Sequence, residues 1–219
     1  MENKKNNRNN WIIIIGYFFQ FYLLYLNMFK QEMTKMKIFT LLVLILLLPL
    51  QLFSQKEGYN WYFGNNAAIT FNKTGACVAP PCSKADSKIN TWEGCATISD
   101  KDGNLLFYTD GMYVWNRFHQ IMPNGTGLAG HQSSTCSAVI IPKPNDSTKS
   151  IYYIFTADES PFFNPPNNGI NYSIVDMSMC GDSGDVIQKN VFLYAPSTEK
   201  IAAVKHCNNQ DFYIVTHEY

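Results

Sequence analysis

The sequence predicts an all-β fold, an incomplete β-propeller-like array of about two and a half four-stranded antiparallel blades preceded by one or two apolar N-terminal helices. Aromatic residues make up 15% of the 219 residues, alongside 13 Gly and 10 Pro, a composition that favours strands and turns. A strand–turn–strand motif also recurs at an interval near the roughly 40 to 50 residue period of propeller blades. An ordinary antiparallel sandwich with similar hairpins is the alternative.

Two apolar stretches open the chain. Residues 11–28 are nearly uncharged and long enough, at roughly 18 to 20 residues, to span a bilayer. Residues 38–48 follow Lys35 and Lys37 and lead to the small residue Ser54, the order of a secretory signal peptide. We therefore expect residues 33–54 to be a signal peptide and residues 1–32 to be either upstream sequence or a transmembrane helix. Residues 55–219 then form the folded domain.

The folded part begins with a predicted hairpin over residues 59–71, followed by a polar loop without periodicity over residues 73–91. Residues 93–123 form the best-defined unit, with strands predicted at 95–98, 105–109, 112–115 and 119–122. Asp102-Gly103 and Asp110-Gly111 suit the tight turns between these strands, because both residue types tolerate positive φ. We expect the fourth strand to end at Met122, because Pro123-Asn124-Gly125 breaks it.

The unit recurs twice. Its "FYTDG" at residues 107–111 is matched by "IFTAD" at 154–158 and "IVTHE" at 214–218, each preceded by an apolar strand and a polar turn. The copies lie about 47 and about 60 residues apart, measured from Phe107 to Ile154 and from Ile154 to Ile214. Residues 160–169 are interpreted as an inserted loop that lengthens the second interval.

The six cysteines are free to oxidise if the chain is exported. Cys77 and Cys82 bracket a short loop, which favours a local disulfide between them. Cys95 and Cys136 occupy matching positions in the first strands of two successive units. They are either close neighbours or separate buried thiols. No spacing has the Cys-x-x-Cys pattern of a zinc knuckle, so no metal or cofactor is predicted.

The net charge and the motifs of the sequence favour a binding protein over an enzyme. The net charge is +0, without the basic patch that nucleic-acid partners require. "GDSGD" at residues 181–185 is interpreted as a turn rather than a protease motif, and Asp100, Asp102 and Asn104 as a hairpin turn rather than a calcium loop. Aromatic side chains near turns stack on sugars or protein partners or fill the core. The candidates for ligand stacking are Trp61, Trp92 and Trp115.

Several segments together resemble one family: "NWYFGNNAAITF" at residues 60–71, "EGCATISDKDGNLLFYTDGMYVWN" at 93–116 and "MPNGTGLAGHQSSTCSAVIIPKP" at 122–144. "YSIVDM", "GDVIQKN" and "STEKIAAVKH" extend the likeness toward the end of the chain. The family is the N-terminal propeller-like region of large secreted Bacteroidota proteins. These proteins usually carry adhesion-type repeats and a C-terminal gliding-motility or type IX secretion sorting domain. Since the sequence stops at Tyr219, we expect it to represent only part of such a protein.

The resemblance implies a secreted or cell-surface protein that contacts a protein or glycan, with the N-terminal apolar segments as its only membrane element. We expect a non-enzymatic adhesion or scaffolding module that is a fragment of a larger protein. An inner-membrane-anchored periplasmic protein is the alternative location. An extracellular propeller hydrolase of glycans or peptides, with its catalytic part missing or unrecognisable, is the alternative function.

Overall fold

The computed structural model describes residues 20–39, 56–73, 75–160, 162 and 168–218. The chain divides into two units, Met1–Ser54 and Gln55–Tyr219. The signal peptide expected from the sequence, which stays a prediction, ends at the same residue. The predicted inserted loop, residues 160–169, lies mostly outside the described residues.

The described part of the first unit is a helix, α1, over residues 20–39, whose side chains are exposed. It contains the end of the first predicted apolar stretch and the start of the second, and the remainder of both lies outside the described residues. The ammonium of Lys35 lies 2.8 Å from the carboxylate of Glu32, one helical turn earlier. Within the described residues, no helix combines the length and hydropathy needed to cross a bilayer.

The described part of the second unit is built from antiparallel strands in four sheets, each following the order of the chain. The first sheet comprises β1 (Asn60–Tyr62), β2 (Ala68–Thr70) and β3 (Cys82–Lys84). The second comprises β4 (Ala96–Ser99), β5 (Leu105–Thr109), β6 (Tyr113–Asn116) and β7 (Ile121–Thr126). The third comprises β8 (Ala138–Pro142), β9 (Ile151–Ala157), β10 (Ile170–Asp176) and β11 (Asp185–Tyr194), and the fourth β12 (Ser197–Lys205) and β13 (Phe212–Glu218).

Each sheet packs a face against the next sheet along the chain. Tyr62 of the first sheet meets Tyr108 of the second in one apolar cluster. Phe107 of the second sheet meets Ile154 of the third in the largest cluster, and Ile170 of the third meets Ile201 of the fourth. The all-β class and the four-stranded antiparallel sheets predicted from the sequence are confirmed.

The predicted strand repeat holds, but its alignment was wrong by one residue. Phe107 and Ile154 belong to one cluster and face each other from neighbouring sheets, so they are not equivalent. Phe155 lies on the opposite face of its strand from Ile154 and packs toward the fourth sheet. Phe107 likewise packs toward the sheet that follows its own, the third. Because side chains alternate between the two faces of a strand, a one-residue shift exchanges the faces. Phe155 is therefore the structural counterpart of Phe107, and Ile214 is the counterpart of Ile154.

The turns between the first two strands of each repeat share one hydrogen-bonding device. Asp100 Oδ1 accepts from the backbone N–H groups of Asp102 and Asn104, each at 2.9 Å. Asp146 accepts from the N–H groups of Ser150 and Ile151 at the corresponding turn, both at 2.9 Å. Asn208 has the same role between β12 and β13. The side-chain oxygen thus fixes the turn, which agrees with a hairpin at Asp100 rather than a calcium loop.

Two strand predictions were wrong. The loop over residues 73–91 contains β3, which has no alternating pattern of its own and forms by pairing with β2, with Ala68 opposite Lys84. The strand β7 does not end at Met122 but continues through Pro123 to Thr126. It tolerates proline because it is the edge strand of its sheet, where a missing N–H is not needed for pairing. Asn124, with φ of 55°, accompanies a register shift in this strand.

Candidate functional site

A cleft of about 480 Å³ opens beside the first and second sheets. Its volume falls within the range of small-molecule sites. Amide and hydroxyl groups, two cationic side chains and one exposed aromatic ring line it. These residues include Asn60, Thr70, Asn72, Ser83, Lys84, Asn104, Arg117 and Phe118.

Two asparagines fix the floor of the cleft. The Asn60 side chain, 4% exposed, donates from Nδ2 to the carbonyl of Gly103 at 2.8 Å and to Ser99 Oγ at 2.9 Å. Asn72 Nδ2 donates to the same Gly103 carbonyl at 2.6 Å. Gly103 has φ of +89°, and a Cβ there would lie 2.7 Å from Asn72 Oδ1. The first sheet and Asn72, just after β2, are thus held to the β4–β5 turn by two side-chain amides, one of them buried, which form the base of the cleft.

A disulfide closes one side of the cleft. Cys77 and Cys82 are bonded to each other, the pair that the sequence proposed, and both line the cleft. The link joins β3 to the loop that precedes it. Cys95 and Cys136 are free and half-buried, and they pack against different apolar clusters. Burial, followed by the charge of Asp110, raises the pKa of the Cys95 thiol.

Lys84 connects the cleft to a cluster of titratable groups behind it. Its ammonium donates to Tyr62 Oη at 2.7 Å and lies 2.9 Å from Asp86 Oδ2. The Tyr62 hydroxyl donates to Asp86 Oδ1 at 3.0 Å. His119 Nε2 lies 3.3 Å from the same carboxylate, and His119 Nδ1 lies 3.2 Å from Tyr108 Oη. A carboxylate, an ammonium, an imidazole and two phenols thus form one connected network.

The protonation states of this network follow from burial and hydrogen bonding. Burial, reinforced by the charge of Asp86, raises the pKa of Tyr62, and burial raises the pKa of Tyr108 to about 12. Burial alone would raise the pKa of Asp86, but the hydrogen bond and charge of Lys84 hold it below its ordinary value. Burial lowers the pKa of His119 despite the nearby Asp86 charge. At neutral pH the network therefore contains one ion pair and three neutral rings.

The three predicted stacking tryptophans have different positions. Trp92 is 74% exposed, and Trp61 is 47% exposed on the outward face of the first sheet. Trp115 is only 8% exposed and stacks on Tyr108, with ring centroids 5.5 Å apart. The prediction of ligand stacking is therefore corrected for Trp115, because its strand turns the indole toward the cluster between the first and second sheets.

Sequence reasoning missed the residues that the cleft brings together. Phe118, 61% exposed, is the aromatic ring at its border, yet it follows a strand without any motif of its own. Lys84, Asp86 and His119 come from a polar loop and a turn with no shared spacing. Only the pairing of β3 with β2 and the left-handed backbone of His119, with φ of 61°, bring them together.

His206 and His217, the two histidines of the last hairpin, lie apart. His206 lies at the β12–β13 turn, and His217 lies at the far end of β13, beside Thr198. Among the residues that the structure describes, no group of three or more potential ligands has the arrangement of a metal site. No family model matches the chain, and neither a curated protein nor a solved structure is similar to it at a significant level.

Proposed function

We propose that this chain is a non-enzymatic, secreted or cell-surface module with a β-propeller-like arrangement, which acts in adhesion or scaffolding by contacting a protein or glycan. The observation that carries the proposal is the cleft with Phe118 at its border. Planar amides and hydroxyls match the hydroxyl groups of sugars and the backbone of peptides, and an exposed ring provides a stacking surface. The packing of successive sheets in chain order supports the propeller-like arrangement.

The electrostatics of the network behind the cleft favour binding over catalysis. Asp86 is ionised and neutralised by Lys84, and neither phenol ionises near neutral pH. A general acid or base has a pKa close to the working pH, and these shifts move the tyrosines and Asp86 away from it. The network instead holds the wall of the cleft in place.

The resemblance to secreted Bacteroidota proteins and the order of charged, apolar and small residues at 33–54 support export. On this proposal the domain from residue 55 onward belongs to a longer surface protein of the gliding-motility or type IX secretion type. Retention through residues 11–28 in the inner membrane, facing the periplasm, is the alternative. The mass and N-terminal sequence of the native protein, from separated envelope and medium fractions, distinguish the two.

Binding at the cleft is tested with the full chain and a panel of neutral oligosaccharides and unstructured peptides, by isothermal titration calorimetry. Phe118→Ala removes the stacking ring, and we expect it to weaken binding at least tenfold, about 1.4 kcal/mol. Phe192→Ala removes an equally exposed phenylalanine ring outside the cleft lining and is the matched control. Equal losses in both variants, or no binding by the unmodified chain to any member of the panel, would contradict the proposed site.

A hydrolase of extracellular glycans or peptides is the second candidate, favoured by the contact of Asp86 with Tyr62 next to a cleft-lining lysine. A carboxylate beside a tyrosine is an arrangement that hydrolytic sites use. Chromogenic glycosides and peptides are the substrates to test. Turnover that Asp86→Asn abolishes while binding persists would favour the hydrolase over the binding module.

A further inference from the structure

The charge of the cleft beside the first and second sheets is one-sided. Among the described residues that line it, Lys84 and Arg117 are cationic and none is acidic. Lys84 is already neutralised, since its ammonium lies 2.9 Å from Asp86 Oδ2. Arg117 has no carboxylate within ion-pair distance in the described part of the chain. One positive charge of the lining is therefore left for a ligand to balance.

The Arg117 guanidinium is held in place and still has hydrogen-bond donors to offer. Its Nη2 donates to the backbone carbonyl of Asp182, in the turn between β10 and β11, and this is its one hydrogen bond within the described residues. Its Nε is buried and has no acceptor there. An unmet donor on a charged group costs free energy, and the planar guanidinium pairs with a carboxylate through two parallel hydrogen bonds. A carboxylate-bearing ligand therefore suits this side chain.

Phe118, the next residue, places an aromatic ring beside this charge. The ring is 61% exposed and lines the same cleft. The turn that carries it is fixed, because Asn116 Oδ1 accepts from the N–H groups of Phe118 and Gln120 at 2.9 and 3.1 Å. An aromatic ring packs against the apolar face of a sugar, whose polar substituents project from the ring edge. A pyranose ring with a carboxylate substituent would engage Phe118 and Arg117 together.

Groups that bind hydroxyls are also present in the lining. Asn104 Nδ2 donates to Asp100 Oδ2 at 2.9 Å, which leaves the side-chain carbonyl of Asn104 to accept from a ligand. The Ser83 hydroxyl, at an exposed position of β3, has no hydrogen-bond partner among the described residues. A hydroxyl both donates and accepts. These groups complement the hydroxyls of a sugar, while Arg117 complements its acid group.

The first sheet offers a peptide little backbone to bind beside the cleft. Extended peptides bind β domains by adding a strand to a sheet edge, where free N–H and C=O groups pair with them. The edge strand at the cleft, β3, has three residues, and Pro80 and Pro81 directly precede it. Proline has no N–H to donate. Side-chain groups therefore dominate the cleft, which favours a glycan over an acidic peptide.

We propose that the cleft binds an acidic glycan, in which the carboxylate of a uronic acid pairs with Arg117 while its pyranose ring stacks on Phe118. The inference rests on the proposed function and narrows it, because that function includes both glycans and proteins and does not specify their charge. Carboxylate recognition by Arg117 is the added element, and it is tested separately from binding itself.

Isothermal titration calorimetry compares three kinds of ligand with the full chain, purified in a detergent without a sugar head group. Trisaccharides of galacturonic, glucuronic and mannuronic acid are each paired with the neutral trisaccharide of the same ring configuration and linkage. A glutamate-rich peptide represents acidic proteins. We expect at least one uronic acid trisaccharide to bind about tenfold more tightly than its neutral partner at low salt. That preference should shrink as the salt concentration rises.

Arg117→Gln removes the charge and keeps a polar side chain. It should bring the uronic acid trisaccharide close to the affinity of its neutral partner. Lys205→Gln removes an exposed charge outside the cleft lining and is the matched control, which should keep the preference. Circular dichroism checks that both variants stay folded. The comparison of ligands on the unmodified chain depends on neither variant.

The outcomes separate this inference from the proposed function. Equal binding of uronic acid and neutral trisaccharides, weakened by Phe118→Ala, would overturn the acidic glycan and leave the binding function standing. A preference for uronic acids that Arg117→Gln preserves, or tighter binding of the peptide, would also overturn the inference. Binding of neither glycans nor peptide would overturn both.

Discussion

Tyr62 and Tyr108 stack with ring centroids 4.4 Å apart and ring planes 13° from parallel, and both side chains are almost completely buried. The first comes from the first sheet and the second from the second sheet. Trp115 also stacks on Tyr108, with ring centroids 5.5 Å apart. The stack thus belongs to the apolar cluster that joins these two sheets.

Tyr108→Ala removes the ring that stacks with both Tyr62 and Trp115. We expect the free energy of unfolding to fall by about 3 to 5 kcal/mol, the usual cost of truncating a buried aromatic residue to alanine. Tyr108→Phe keeps the ring and loses only the hydroxyl contacts with His119 and the Lys88 N–H, so its cost should be about 1 kcal/mol. Urea denaturation measures both values. Similar losses in the two variants would mean that the hydroxyl, not the stack, joins the sheets.

The raised tyrosine pKa predicts a loss of stability in alkali. The ordinary tyrosine pKa of 10.0 rises to about 12 for Tyr108 because burial disfavours the phenolate. Its favourable contribution is therefore complete below about pH 10 and is lost as the pH rises from 10 toward 12. Between pH 8 and 11 the unmodified chain should lose more stability than Tyr108→Phe. Parallel pH profiles for the two proteins would contradict this assignment.

The turn before β9 predicts an effect in acid. The Thr148 hydroxyl and the N–H groups of Ile151, Thr148 and Ser150 lower the pKa of Asp146 to about 2. Its contribution is present above about pH 4 and is lost as the pH falls toward 2. Asp146→Ala should reduce the free energy of unfolding at pH 7 by about 1 kcal/mol. Asp102→Ala, at a solvent-exposed turn position, is the control and should change it by less than about 0.5 kcal/mol.

Gly111 is placed where only glycine fits. Its φ is +88°, and a Cβ would collide with the Ser137 hydroxyl and lie 2.8 Å from the Ser137 carbonyl oxygen. Gly111→Ala should therefore lower the free energy of unfolding by about 2 kcal/mol or more. Gly58→Ala is the matched control, since a Cβ there meets nothing within 4 Å. Thermal unfolding of the two variants should separate clearly, and equal melting temperatures would contradict the collision.

Local chemistry allowed much of the fold to be predicted from the sequence. The span of β5 and the Asp-Gly turns at Gly103 and Gly111 follow from residues next to one another in the chain. The strand β3 could not be predicted in this way, because it forms by pairing with β2. Which residue of each copy faces the next sheet also depends on packing. The alternation of side chains alone does not decide whether Phe107 faces the third sheet or the first.

The candidate site was less predictable than the fold. Trp115 was a reasonable candidate for ligand stacking by position near a turn, but packing against Tyr108 decides that it is buried. Asp86 and His119 lie 33 residues apart in the sequence, and their contact depends on how the first sheet packs against the second. Sequence identifies such side chains only when a motif links them, and here none does.

Packing of each sheet on its chain neighbours has a mechanical consequence. The described strands make their apolar contacts with the adjacent sheet, so tension applied beyond β13 would act first on the fourth sheet, which is anchored through Ile201 and Ile214. The third sheet, held on both faces, would yield only afterward. Under load the domain should therefore unfold and lengthen in discrete steps, one sheet at a time.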